Sequence, residues 1–112
     1  MQRKTFSYDY DYDNLIVSNR QENEKTRENF EVGDMVFSLT GSGKIVSIEI
    51  RGASLFLESC NINAEMLREA TSITFEVIPK REVIFLVLKI DSVKGEHTIS
   101  QSIPLIMPLT NQ

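Results

Sequence analysis

The chain has 112 residues, the length of one domain with a hydrophobic core of its own. At 41% hydrophobic and 25% charged residues it has the make-up of a folded chain. A net charge of −4, with no basic cluster, argues against a nucleic-acid partner. The single cysteine, Cys60, leaves no internal disulfide, and the longest apolar run, Val83 to Leu88, is too short to span a bilayer.

Arg3 and Lys4 are followed by no apolar stretch, so no signal peptide is expected, and the expected setting is cytoplasmic with no membrane partner. Thr5 to Tyr8 and Leu15 to Ser18 read as the two strands of a first hairpin. Arg20 to Asn29 has no apolar residue and reads as a solvated loop. Phe30 to Leu39 reads as one imperfectly alternating strand, with Gly33-Asp34 as a bulge or bend. The glycines of Thr40-Gly-Ser-Gly-Lys44 make a tight turn. Ile45 to Arg51 then alternates, with Val46, Ile48 and Ile50 on one face.

The middle of the chain reads as helical. Ser54 is the expected cap of a short turn holding Leu55, Phe56 and Leu57. Asn63 is the expected N-cap of a helix from Ala64 to Ala70, with Glu65 and Arg68 paired on its exposed side. Ile73, Phe75 and Val77 alternate with polar residues, as in a half-buried strand, and Pro79 suits the second position of a turn through Arg81. Val83 to Ile90 is apolar on both faces, which predicts a central strand covered on both sides. His97 to Ile103 alternates again, and Pro104 and Pro108 make the last segment an edge strand or a tail. The expected fold is α+β in a single domain, 1–112. Its antiparallel, meander-like sheet has about six or seven strands, with a short helical segment over about 54–70 packed on one face.

Asp9, Asp11 and Asp13 have the one-three-five spacing that opens a helix–loop–helix calcium site. That loop needs glycine at its sixth position and a bidentate glutamate at its twelfth; here those positions are Asn14 and Arg20. The expected role of the trio is therefore a polar corner, because aspartate side chains bond nearby backbone amides in turns.

Tyr8-Asp9, Asp13 and Leu15, followed by Gly43, Lys44, Ile45, Val46, Ile48, Glu49, Ile50, Ala53 and Ser54, resemble the motifs of a small prokaryotic family. It is the domain-of-unknown-function family numbered 2283. The resemblance covers about residues 8–56, with 57–112, a helix and antiparallel strands, beyond it. Ser47 stands where the family has glycine, and Arg51 where it has an apolar residue. The resemblance implies a compact strand-rich fold with a helix after the Ile48-Glu49-Ile50 strand, and no established activity. It also implies an antitoxin-like or partner-binding role.

Other chemistry-bearing residues are sparse. Cys60 and His97 lie far apart in sequence and read as a packing cysteine and an exposed histidine rather than a nucleophile and its base. Glu49 sits in an apolar strand with Arg51 two residues on, which reads as an ion pair on a solvated face; the alternative is a carboxylate in a pocket. No catalytic residue, metal ligand or cofactor is assigned. The expected function is a non-enzymatic interaction module that self-associates, its partner a second copy in a dimer. The alternatives are an antitoxin-like regulator of another protein, and a small-ligand binder or enzyme using Glu49 with Asp9, Asp11 and Asp13.

Overall fold

Alternating apolar residues give each strand one face that must be buried, and two such sheets bury each other. The computed structural model describes residues 5–21, 23–93 and 95–104. The strands are β1 (Phe6–Asp9), β2 (Asn14–Ser18), β3 (Glu28–Val32), β4 (Met35–Leu39), β5 (Ile45–Arg51), β6 (Ala70–Pro79), β7 (Val83–Ser92) and β8 (Gly95–Pro104). Two short helices, α1 (Ala53–Ser59) and α2 (Met66–Glu69), join β5 to β6. The described residues are thus mostly antiparallel sheet with two short helices.

The strands do not form one meander of six or seven. They form a five-stranded sheet, β1-β2-β5-β4-β3, and a three-stranded sheet, β6-β7-β8. The reason lies in β5, which has β2 on one side and β4 on the other. A chain leaving a strand with both edges taken cannot add a neighbour to it, so α1 and α2 carry it to a second layer. The apolar residues of the five strands line up in two rungs, Phe6–Val17–Ile48–Phe37–Phe30 and Tyr8–Leu15–Ile50–Met35–Val32. They meet Ile73, Phe75, Ile84, Leu86, Leu88, Ile90, Ile99 and Ile103 of the second sheet, with Leu57 and Leu67 from the helices, in one core.

Phe30 to Leu39 is a hairpin, not one bent strand: Val32 pairs with Met35 across the two-residue turn Gly33-Asp34. Gly33 takes φ +60, the positive angle that the first residue of a tight hairpin turn needs. Pro79 is likewise a strand residue, paired with Ile84, and the turn falls at Arg81-Glu82, closed by Lys80 N–H donating to Val83 O at 2.9 Å. The expected helix from Ala64 is shorter, since the bonds of Met66, Leu67 and Arg68 N–H reach back only three residues, while Asn63 Oδ1 accepts from Glu65 N–H at 2.9 Å, the bond expected of an N-cap, at the start of this short turn. The Glu65–Arg68 pair is present at 3.7 Å.

β7 is central in its sheet but, among the described residues, covered on one face only. Ile84, Leu86, Leu88 and Ile90 are buried, whereas Phe85 is 40% exposed on the outer side. Pro104 ends β8, and Pro108 lies outside the described residues.

Candidate functional site

The acidic corner is a turn whose carboxylates bind protein groups. Asp9 Oδ1 accepts from the N–H of Asp11 at 3.1 Å and of Tyr12 at 3.2 Å, closing the loop between β1 and β2. Asp13 takes φ +54, a left-handed angle that aspartate tolerates better than most side chains. From there it reaches the start of α1. Its carbonyl accepts from Ala53 N–H at 3.0 Å, Oδ1 from Ser54 N–H at 2.9 Å, and Oδ2 from Ser54 Oγ–H at 2.6 Å. The Tyr8 hydroxyl donates to Oδ1 at 2.5 Å. The cap of α1 therefore comes from 41 residues away and not from Ser54, which donates to it. Gly52, at φ +66, supplies the sharp exit from β5 that points α1 at Asp13.

Tyr10 extends this cluster to α2: the Arg68 guanidinium lies 3.8 Å from its ring centroid, and Tyr8 meets it edge-on at 6.4 Å. Burial, the hydrogen bond to Asp13 and the charge of that carboxylate push the Tyr8 pKa up to about 12. Burial alone would raise the Asp13 pKa, but the hydrogen bonds from the Ser54 hydroxyl, Tyr8 and the Ser54 amide outweigh it and hold the carboxyl below its ordinary value. The arrangement stores a charge as a structural clamp. Asp11 is exposed. Among the described residues no three His, Cys, Asp or Glu side chains are placed to hold a metal ion.

Glu49 faces away from the core, opposite Ile16 and Val36, and its carboxylate lies 4.0 Å from Arg51 Nε. Arg51 also reaches Glu31 at 3.5 Å. Cys60 Sγ lies 3.7 Å from Gln101 Oε1. His97 lies four residues before Gln101 on β8, about 13 Å from it at the usual rise per residue, so the residue beside the thiol is well separated from the imidazole. The glycine turn is a strand connection: Gly43 N–H donates to Thr40 O and Thr40 N–H to Lys44 O, both at 2.9 Å, while Lys44 Nζ lies 2.8 Å from Glu24.

A cleft of about 470 Å³ opens between the β3–β4 turn, α1 and the end of β8, with Met35, Leu55, Phe56 and Ile103 as its apolar lining and Arg51 and Gln101 at its rim. Neither Glu49 nor the three corner aspartates line it. No protein-family model, curated protein or solved structure matches the chain.

The strand edges differ sharply in what they offer. β1 has four residues, and β3 carries Glu28 and Glu31, both features that blunt an edge. The free edge of β6 is covered: Thr5 Oγ1 donates to Ile73 O at 3.1 Å and Asn19 Nδ2 to Phe75 O at 2.9 Å. Among the described residues β8 has no such cover. It is ten residues long, and Thr98, Ser100, Gln101 and Ser102 are exposed. Beside it, Phe85 pairs with Ile78 on the outer face, both about two-fifths exposed. Sequence reasoning missed the Asp13–Ser54 clamp and the contrast between edges. One signal for β8 was present: after Glu96 no Asp, Glu, Lys or Arg occurs.

Proposed function

We propose that the protein is a non-enzymatic interaction module that associates with itself. The observation that carries this reading is β8, a long strand whose side chains from His97 to Ile103 include no carboxylate, ammonium or guanidinium, on a sheet edge that no other element covers among the described residues. Such an edge presents a row of backbone donors and acceptors to any second strand. The exposed Ile78 and Phe85 add apolar area next to it.

The reading of residues 8–56 as a unit like those of the family numbered 2283 belongs with this proposal. It is supported by the way three motif positions, Tyr8, Asp13 and Ser54, form one hydrogen-bonded group. An enzyme built on Glu49 and the corner finds no comparable support, since Glu49 is paired with Arg51, and Asp9 and Asp13 are occupied by backbone and hydroxyl donors. No helix among the described residues is long and apolar enough to cross a membrane. Light scattering on the full chain over a wide concentration range tests the proposal. A mass above that of one 12.8 kDa chain is expected, and a single-chain mass throughout would refute it.

A further inference from the structure

The pairing pattern decides which backbone groups of β8 are available. Lys80 N–H donates to Val83 O, and in an antiparallel ladder bonded pairs alternate with unbonded ones. The bonded pairs of β6 and β7 are therefore Ile78–Phe85, Glu76–Val87 and Thr74–Lys89. The carbonyls of Ile73 and Phe75, which bond Thr5 and Asn19, accordingly point away from β7. On β7 the intervening residues Ile84, Leu86, Leu88 and Ile90 turn their N–H and C=O toward β8, opposite Ile103, Gln101, Ile99 and His97. Among the described residues the outer edge of β8 is left with the N–H and C=O of Glu96, Thr98, Ser100 and Ser102, and the C=O of Pro104.

That row is self-complementary. We propose that a second copy of this chain pairs with it, β8 against β8 antiparallel, across a two-fold axis through Ser100; the proposal rests on the self-association reading above. In this register Ser100 opposes Ser100 of the second copy, Thr98 opposes Ser102, and Glu96 opposes Pro104. Every one of these positions directs its free groups to the edge, giving roughly eight hydrogen bonds between chains. The missing N–H of Pro104 falls at the two ends, where it costs least. No like charges meet, because the only charged side chain on the edge, Glu96, lies 3.2 Å from Lys89 of its own sheet. The product is a continuous six-stranded sheet in which both copies of Phe85 and Ile78 lie on one outer face. The other edges are poorer candidates for this, being short, acidic or already capped.

A two-fold axis makes one residue its own neighbour, and this gives a decisive test. Ser100→Lys and Ser100→Glu each place like charges opposite one another at the axis and are expected to be single chains by sedimentation, while the unmodified protein runs at twice the chain mass. Mixing the two variants is expected to restore a dimer containing one chain of each. If both variants stay dimeric alone, the β8 pairing is wrong and self-association stands on another surface. If the mixture stays monomeric, the register about Ser100 is wrong. If the unmodified protein is monomeric, both proposals fall together. Amide hydrogen exchange on the unmodified protein needs no variant: Thr98, Ser100 and Ser102 should exchange slowly in the dimer and quickly on dilution. Rapid exchange at all concentrations would also overturn it.

Discussion

Replacing Asp13 by alanine removes the clamp that ties the first hairpin to α1. Three hydrogen bonds to its carboxylate are lost, from Tyr8 Oη, Ser54 N and Ser54 Oγ. Loss of a helix cap alone costs about 0.5–2 kcal/mol, and hydrogen bonds to a charged group contribute about 1.5–3 kcal/mol each when well shielded. The three share one partly exposed carboxylate and are not additive, so about 2–3 kcal/mol is expected from them together. The left-handed backbone at φ +54 adds roughly 1 kcal/mol more for alanine. Asp13→Gly separates the two effects, since it relieves the backbone while still deleting the carboxylate; it should fall between wild type and Asp13→Ala in urea denaturation.

The sign of the pH dependence follows from the lowered Asp13 pKa. A carboxyl held below its unfolded value stabilises the fold above about pH 4 and loses that contribution as pH falls through the folded value. The gap between wild type and Asp13→Ala should therefore be widest above about pH 4 and narrow in more acid solution. Tyr8 works in the opposite direction. Its pKa, raised to about 12, gives stability present below its ordinary value of 10.0 and lost as pH rises toward 12. An Asp13→Ala protein within about 0.5 kcal/mol of wild type at neutral pH would refute the clamp, since that is the scatter of ordinary surface changes.

Gly33→Ala meets no atom within 4 Å but must hold φ +60, so about 1–2 kcal/mol should be lost through the backbone alone, measurable by chemical denaturation. Phe37→Ala empties a fully buried site stacked on Phe30 at 5.0 Å and should cost about 3–5 kcal/mol in the same assay. Asn19→Ala removes the donor that covers Phe75 O and should cost about 1 kcal/mol, with a rise in aggregation on heating as the β6 edge opens.

Strands were legible wherever alternation was local. The period of two marked β5 from Ile45 to Arg51 and β6 around Ile73, Phe75 and Val77. The Gly33-Asp34 hairpin reads in the sequence as a bulge or bend in one strand, because Val36 blurs the alternation, although the Gly-Asp pair between Phe30/Val32 and Met35/Phe37 has the chemistry of a two-residue hairpin turn. Two layers instead of one sheet could not be read, because this depends on β2 returning beside β5 across an intervening hairpin, a non-local pairing that leaves no periodic trace. The same limit hid the cap of α1. Ser54 has the chemistry of a local N-cap, and only the fold shows that Asp13 arrives from the other hairpin to take its hydroxyl and amide. Apolar residues on both faces of β7 predicted a strand covered on both sides, whereas Phe85 is left on the outer face.

Sedimentation of the full chain across a wide range of concentrations puts the self-pairing account to its most direct trial. The account predicts a species of twice 12.8 kDa that dissociates on dilution. A constant 12.8 kDa at every concentration would contradict it.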